Sequence, residues 1–487
     1  MNRTIKLVAL ILTLTANVAL GQTTSSTPRP AATPAAVSTE GQNAAKLGKD
    51  QLDEKKYTLA AASFTKCIQL IPNSHSCHTN RGVAYYSLGN YQQALTNFDK
   101  AIELDPNRSS YYSNRSGAHF GLRNYEKALA DADKAIILDP FYAKGHFARG
   151  RANRALGKNE NAITDLSKAI SLDPKLIAVH SERGRAYFNT KKYQAAIEDL
   201  TRYLGSYPNI AEAHNYRGRS YFELKKYDMA VADFAKAAEL NPKEHAYFRN
   251  QGLAYNNLKK YDEAVVAFSK VIELQPGKPL PLIERGIAYQ DLKNHDAAIA
   301  DYTKVTEIDP KHFDAFRNRG LAHKALEKYD LAIPDFTMAI GLNPKDVRTY
   351  INRGDSYRAQ KKHGEAIADY TKALERDPKN SDAYFGRAYS SSQLKAYPSA
   401  IADYTKLIEL SPSSHTAYNN RGFAYYYTGD YEKAVADFVK ALSVRSNYAN
   451  SYYGRSLVYC KQGLKGLAQA DEQKAREFGF NITYPCR

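Results

Sequence analysis

A chain of 487 residues would ordinarily hold about three globular domains. This one carries a 34-residue unit thirteen times, covering 442 residues and leaving no stretch large enough for a separate catalytic domain. Its net charge of +17 favours anionic partners, but the basic residues are scattered with no basic tail, which argues against nucleic acid.

In chain order, residues 1–21 have the pattern of a secretory signal. Arg3 and Lys6 supply the basic start, Leu7 to Leu20 the apolar run, and Ala19-Leu20-Gly21 the small residues for cleavage. Such a run is short of the roughly 20 residues that cross a bilayer, so no membrane span is expected after cleavage. The expected location is extracytoplasmic, periplasmic or secreted. Residues 22–40 are Thr, Ser, Pro and Ala with almost no large apolar side chain, and read as a disordered linker.

Twelve units follow over 41–448, the first of them weaker, and a degenerate thirteenth unit with cap and tail occupies 449–487. Unit two, residues 75–108, shows the pattern. A helical run from Asn80 to Tyr86 turns at Gly89-Asn90, and a second run continues through Ala94, Phe98, Ala101 and Ile102. Asp105-Pro106 stops it, since proline cannot continue a helix. Proline recurs in phase with Pro106 from 72 to 412, and alanine in phase with Ala94 from 60 to 468. Gly82 and Ala94 are small where two helices must cross closely. Tyr85, Phe98 and Ile102 give the hairpin an apolar face on both sides, so only stacking on neighbours buries it. Three prolines at 276, 279 and 281 are expected to delay the first helix of unit eight and leave a looser seam. Pro334 should bend the second helix of unit nine. Unit thirteen puts Glu472 where an aromatic belongs and Phe480 where proline belongs, as a terminal cap does.

Gly82, Tyr85, Ala94, Phe98, Ala101 and Pro106 stand at positions 8, 11, 20, 24, 27 and 32 of the unit. In this pattern the chain resembles the tetratricopeptide repeat from residue 41 to about 482, in an Asn-Arg-Gly variant read at 80–82, 318–320, 352–354 and 420–422. The resemblance implies an all-α fold: a right-handed superhelical solenoid of about thirteen antiparallel helix pairs with a concave groove. The family's carboxylate clamp is not present in any three consecutive units, and position 5 is never Lys.

Chemistry is sparse. There is no Walker loop, GxSxG elbow, HExxH or GxGxxG, so no enzyme activity and no cofactor are expected. Cys67, His75, Cys77 and His78 match no common zinc spacing, and no metal site is assigned. Arg at position 7 and Asp at position 23 occur or vanish together in all units but the second. We therefore expect ion pairs between the two helices of a unit, such as Arg115–Asp131 and Arg319–Asp335, with independent surface charge as the alternative. Four cysteines in an oxidising compartment suggest the local disulfides Cys67–Cys77 and Cys460–Cys486, against four buried thiols.

The resemblance places position 9 on the groove wall. Arg151, Arg185 and Arg219 stand there in units four to six, with Arg154, Phe188 and Phe222 one turn on. The row suits an acidic extended peptide, provided Glu182 and Glu223 do not neutralise Arg185 and Arg219 within their own helices. The function expected is a non-enzymatic extracytoplasmic scaffold that binds a protein or extended, acidic peptide, its identity unknown. The alternative is a binder of an anionic envelope polymer or other polyanion.

Overall fold

The computed structural model describes residues 39–482. The signal pattern of residues 1–21 and almost all of the 22–40 linker lie outside the described residues, as does Cys486 and with it the 460–486 pairing. Among the described residues there are twenty-six helices and no strand. None is long and apolar enough to cross a membrane. The first helix, Thr39–Asp53, begins two residues before the expected unit boundary.

The helices fall into two compact units, one ending at Leu258 and the other beginning at Lys259. The first unit holds repeats one to six and the first helix of repeat seven, and the second unit holds the rest. Within each unit, consecutive helices pack antiparallel and first helices of successive repeats lie side by side.

The alanine of position 20 explains the tight crossing. All thirteen, from Ala60 to Ala468, are 0% exposed. Opposite it the small residue of position 8 admits the side chain of position 24, a ring in most repeats. A Cβ on Gly320 would stand 2.8 Å from Phe336 Cε1, so any side chain there pushes the helices apart. The turn between helices also repeats. Position 15 is left-handed in every repeat: glycine at Gly89, Gly157, Gly429 and Gly463, but Lys, Arg or Glu in the other nine, as at Lys361 (φ 59°) and Lys395 (φ 60°). A non-glycine residue tolerates this conformation only because the packed helices on either side impose it.

The ten Arg–Asp pairs are formed between the two helices of their repeats. Arg115 Nη2 donates to Asp131 Oδ1 at 2.7 Å, and Arg319 Nη2 to Asp335 Oδ1 at 2.7 Å. Each aspartate is buried, Asp131 at 7% and Asp335 at 5% exposed, so the arginine satisfies a carboxylate that water does not reach. Most of these arginines also reach backwards. Arg115 Nη1 donates to Asp99 at 2.8 Å, Arg319 Nη1 to Thr303 at 3.2 Å and Arg353 Nη1 to Thr337 at 2.9 Å, each on the preceding repeat. One side chain therefore closes its own hairpin and ties it to its neighbour. In repeat thirteen the preceding residue is Val439, and Arg455 bonds to Asp471 alone. Repeat two, with Asn97 for Asp, keeps the geometry through a 2.7 Å bond from Arg81 Nε.

The prolines around 279 act differently from expectation. The first helix of repeat eight begins at Pro279, in phase with its counterparts, with no delay. Pro279 and Pro281 occupy its first turn, where the missing N–H has no intrahelical acceptor to lose. Pro334 sits inside a second helix that still runs its full span, Tyr329–Leu342. Cys67 and Cys77 are joined by a disulfide, which links the second helix of repeat one to the first helix of repeat two. The chain's far end is closed by stacked rings, Tyr453 on Phe480 at 4.5 Å and Tyr452 on Phe478 at 5.8 Å.

Candidate functional site

The candidate residues lie on four neighbouring first helices of the first unit: Ser109–Gly121, Ala143–Ala155, Ala178–Asn189 and Ala211–Glu223. Positions 6, 9 and 12 of a helix share one face, three residues apart. Position 9 of one repeat therefore meets position 12 of the repeat before it and position 6 of the repeat after it.

Arginine and phenylalanine use that geometry twice. The Arg151 guanidinium carbon lies 4.2 Å from the ring centre of Phe120, and that of Arg219 lies 4.3 Å from Phe188. Both are cation–π stacks between successive repeats. Arg185 would meet position 12 of repeat four, which is Arg154 instead of a ring. It turns to the next repeat, with its guanidinium 5.2 Å from the Tyr216 ring and Nη2 bonded to Glu212 at 2.7 Å. Arg154 in turn pairs with Glu182 at 2.5 Å. The acids therefore bridge repeats and do not pair within their own helices as the spacing suggested. A guanidinium at the end of a long stem reaches the neighbouring helix as readily as its own. Glu223 makes no ion pair with Arg219 among the described residues and, after burial, helps push the Tyr193 hydroxyl up.

Charge in the row is unbalanced. Burial pushes the Glu182 carboxyl up, but Arg154, Arg185 and Arg151 around it win and hold it at about 2. Burial likewise opposes the charge of Arg185, while Glu212 and Glu182 hold its guanidinium above the usual range. Arg151 and Arg219 pair with no carboxylate among the described residues. Arg151 is the extreme case: it is 5% exposed, and its Nε and Nη2 have no hydrogen-bond partner. Arg185 Nε is also unpartnered, and so is the buried hydroxyl of Tyr86, whose acidity burial pushes to about 12 and which Arg151 faces. Unpaired buried donors of this kind are costly unless an acceptor arrives. An oxyanion is the acceptor that fits two guanidinium N–H groups at once.

Of the six residues read from the sequence, five belong to this row. Phe222 does not: it meets Tyr227 edge-on at 5.3 Å and packs against the Ala230 and Phe234 core. Phe120, Tyr216 and Glu212 were not singled out from the sequence, and they complete it. The histidines of position 4 serve the framework. His146 Nε2 and His214 Nε2 donate to the carbonyls of Pro140 and Pro208, at 2.9 and 2.8 Å, and His180 and His214 contact the buried Asp199 and Asp233.

Family profiles match much of the chain. One described as Tetratricopeptide repeat matches residues 75–108, 246–278, 280–312, 313–346, 347–380 and 415–448. A second with that description matches 181–245, and one described as TPR repeat matches 150–191 and 389–429. No curated protein matches. Among solved structures, the C-terminal part of a TPR repeat-containing protein from Cytophaga hutchinsonii is 20% identical, covering 49% of this chain and 98% of its own, with a TM-score of 0.46. YrrB, described as a TPR protein with an unusual peptide-binding site, is 21% identical and covers 38% of this chain and 96% of its own, with a TM-score of 0.37. A tetratricopeptide repeat protein from Parabacteroides merdae is 21% identical and covers 49% and 94%, with a TM-score of 0.38.

Proposed function

Because the chain belongs to the tetratricopeptide repeat family, whose proteins bind protein or peptide partners, we propose that it is a non-enzymatic scaffold whose first unit binds an extended acidic segment of a partner protein. The observation that carries this reading is Arg219, only partly buried, stacked on Phe188 and with no carboxylate partner among the described residues. Acidic side chains would take the free guanidinium donors, and the rings beneath would supply apolar contact. An extended segment suits a row whose rungs come one per repeat.

We place the protein in an extracytoplasmic compartment. The basic and then apolar start of the chain and the Cys67–Cys77 bond support that location. Mass spectrometry of the protein from its native host should find a mature N-terminus at Gln22. An intact Met1 would overturn the secreted reading.

The test of binding is a titration of a labelled Asp/Glu-rich decapeptide into the full chain. Wild type should bind it and reject the Lys-rich counterpart. Arg185→Glu with Arg219→Glu should weaken binding by about tenfold or more, with helicity unchanged. Undiminished binding removes the row from consideration. The net charge of +17 favours a second reading, an anionic polymer held along the surface. That mode would show a steep loss of affinity with salt and little dependence on these two arginines.

A further inference from the structure

The second unit carries a pocket of different chemistry between repeats 11 and 12. It encloses about 420 Å³, within the usual range of ligand pockets. Half of its ten lining residues are aromatic: Tyr389, Tyr397, Tyr404, Phe423 and Tyr427. No Asp or Glu lines it, and its one charged group is Lys395.

Two of the rings form a platform. Tyr397 and Tyr427 stack with centroids 5.0 Å apart and planes 13° from parallel, leaving no gap for a guest between them. They come from different repeats, so the platform exists only where repeats 11 and 12 stack. Tyr426 meets Tyr427 edge-on at 5.3 Å and props it. Tyr427 is nevertheless 59% exposed. A large ring exposed to this degree offers its free face to a partner.

The polar groups around the rings are uncharged apart from Lys395. Tyr404 is buried among Ser392 and Asn420, and burial pushes its hydroxyl up to about 12, so it stays protonated and can donate. Asn420 Oδ1 accepts from Asn419 Nδ2 at 3.0 Å, and the Asn420 side chain stands beside the Tyr404 hydroxyl. Lys395, on the left-handed turn at the rim, adds an ammonium. A fitting ligand has a flat apolar face and carries acceptors that the Lys395 ammonium can reach, without needing a carboxylate from the protein.

We propose that this pocket binds a proline-rich segment of a partner protein in the polyproline II conformation. Proline has a compact apolar ring that lies on an aromatic face, and no N–H. A run of prolines therefore offers the protein acceptors only. In polyproline II the carbonyls make no internal hydrogen bonds, and the repeat of three residues returns a ring to the same side every turn. Aromatic-lined grooves recognise such segments because the conformation is already formed and little entropy is lost on binding. A sugar would also lie on the platform, but its many hydroxyls are held most strongly by charge-assisted bonds to carboxylates, and the lining has none.

The inference stands apart from the arginine row and is tested separately, by fluorescence anisotropy of labelled decaproline titrated with the full chain. Saturable binding is expected, with no binding of a Gly-Ser decapeptide. Tyr427→Ala should weaken decaproline by about tenfold or more, and Tyr427→Phe, which keeps the ring, by less than about threefold. Because Tyr427 is exposed, circular dichroism of both variants should match wild type. Arg219→Glu should leave decaproline binding unchanged. Absence of saturable decaproline binding overturns the proposal, as does binding that Tyr427→Ala leaves intact. Tyr427-dependent binding of chitotetraose without decaproline binding overturns it in favour of a carbohydrate site.

Discussion

Position 9 shows how the two units differ on one scaffold. In repeats four to six of the first unit it is Arg151, Arg185 and Arg219, and in repeats eight to twelve of the second it is Ile287, Leu321, Asp355, Tyr389 and Phe423. Position 20, by contrast, is a fully buried alanine in every repeat of both units. The Arg–Asp pair of positions 7 and 23 spans both units as well. The residues that close each hairpin recur, and position 9 changes from repeat to repeat. In the first unit position 9 supplies cations stacked on rings, and in the second Tyr389 and Phe423 at that position line the aromatic pocket. A repeat array can thus carry two chemistries on one frame, because position 9 takes part in neither the alanine crossing nor the Arg–Asp pair.

That separation can be attacked from the frame first, where the effects are largest. Arg319→Met strands the buried Asp335 and releases the bond to Thr303, and should cost about 3 kcal/mol in denaturant unfolding. Adding Asp335→Leu should recover most of the loss, since a repacked apolar pair leaves no stranded charge. If the single variant is as stable as wild type, the pairs are surface ornament and the frame rests on packing alone. Cys67→Ser should cost about 2–3 kcal/mol, the loop-closure value for a short loop, with unfolding starting earlier at the N-terminal repeats in hydrogen exchange. Uniform loss of protection along the chain would contradict a local role.

The row itself gives a pH signature. The folded Glu182 carboxyl sits at about 2, below its ordinary 4.5. Its contribution to stability is therefore full above pH 4.5 and disappears as pH falls to about 2. Glu182→Gln should be less stable than wild type by about 2 kcal/mol at neutral pH, and the two should converge through that window. A constant difference between pH 7 and 2 would mean that the charge of Glu182 is irrelevant to the row. The smallest effect lies in the turns. Lys361→Gly removes left-handed strain and should stabilise the second unit by about 1 kcal/mol, read as a rise in the denaturant midpoint.

Much of the frame was legible in the sequence because its signals are local or strictly periodic. Pro106 and Ala94 mark the helix ends and crossings directly, and Arg115–Asp131 shows itself by co-occurrence across thirteen copies of one unit. The backward bond of the same arginine was not legible. Its acceptor is Asp99, Thr303 or Ser269 by turns, residue types that share only a side-chain oxygen. The left-handed turn was hidden where Lys361 replaces glycine, since lysine carries no turn signal of its own. In the row, the sequence located the arginines but paired them with the wrong acids. Arg154–Glu182 and Arg185–Glu212 join neighbouring repeats, and a search for pairs three or four residues apart passes over them. The tyrosine platform is likewise assembled from two repeats, with Tyr397 and Tyr427 on elements that helical periodicity treats independently.

The most direct measurement takes one acidic decapeptide and one decaproline to three proteins: wild type, the Arg185→Glu, Arg219→Glu double variant, and Tyr427→Ala. If outward positions carry two independent chemistries on one frame, the arginine variant loses the acidic peptide by about tenfold or more and keeps decaproline, and Tyr427→Ala does the reverse, with equal helicity in all three. Parallel loss of both ligands in either variant would contradict that claim, as would retention of the acidic peptide by the arginine variant.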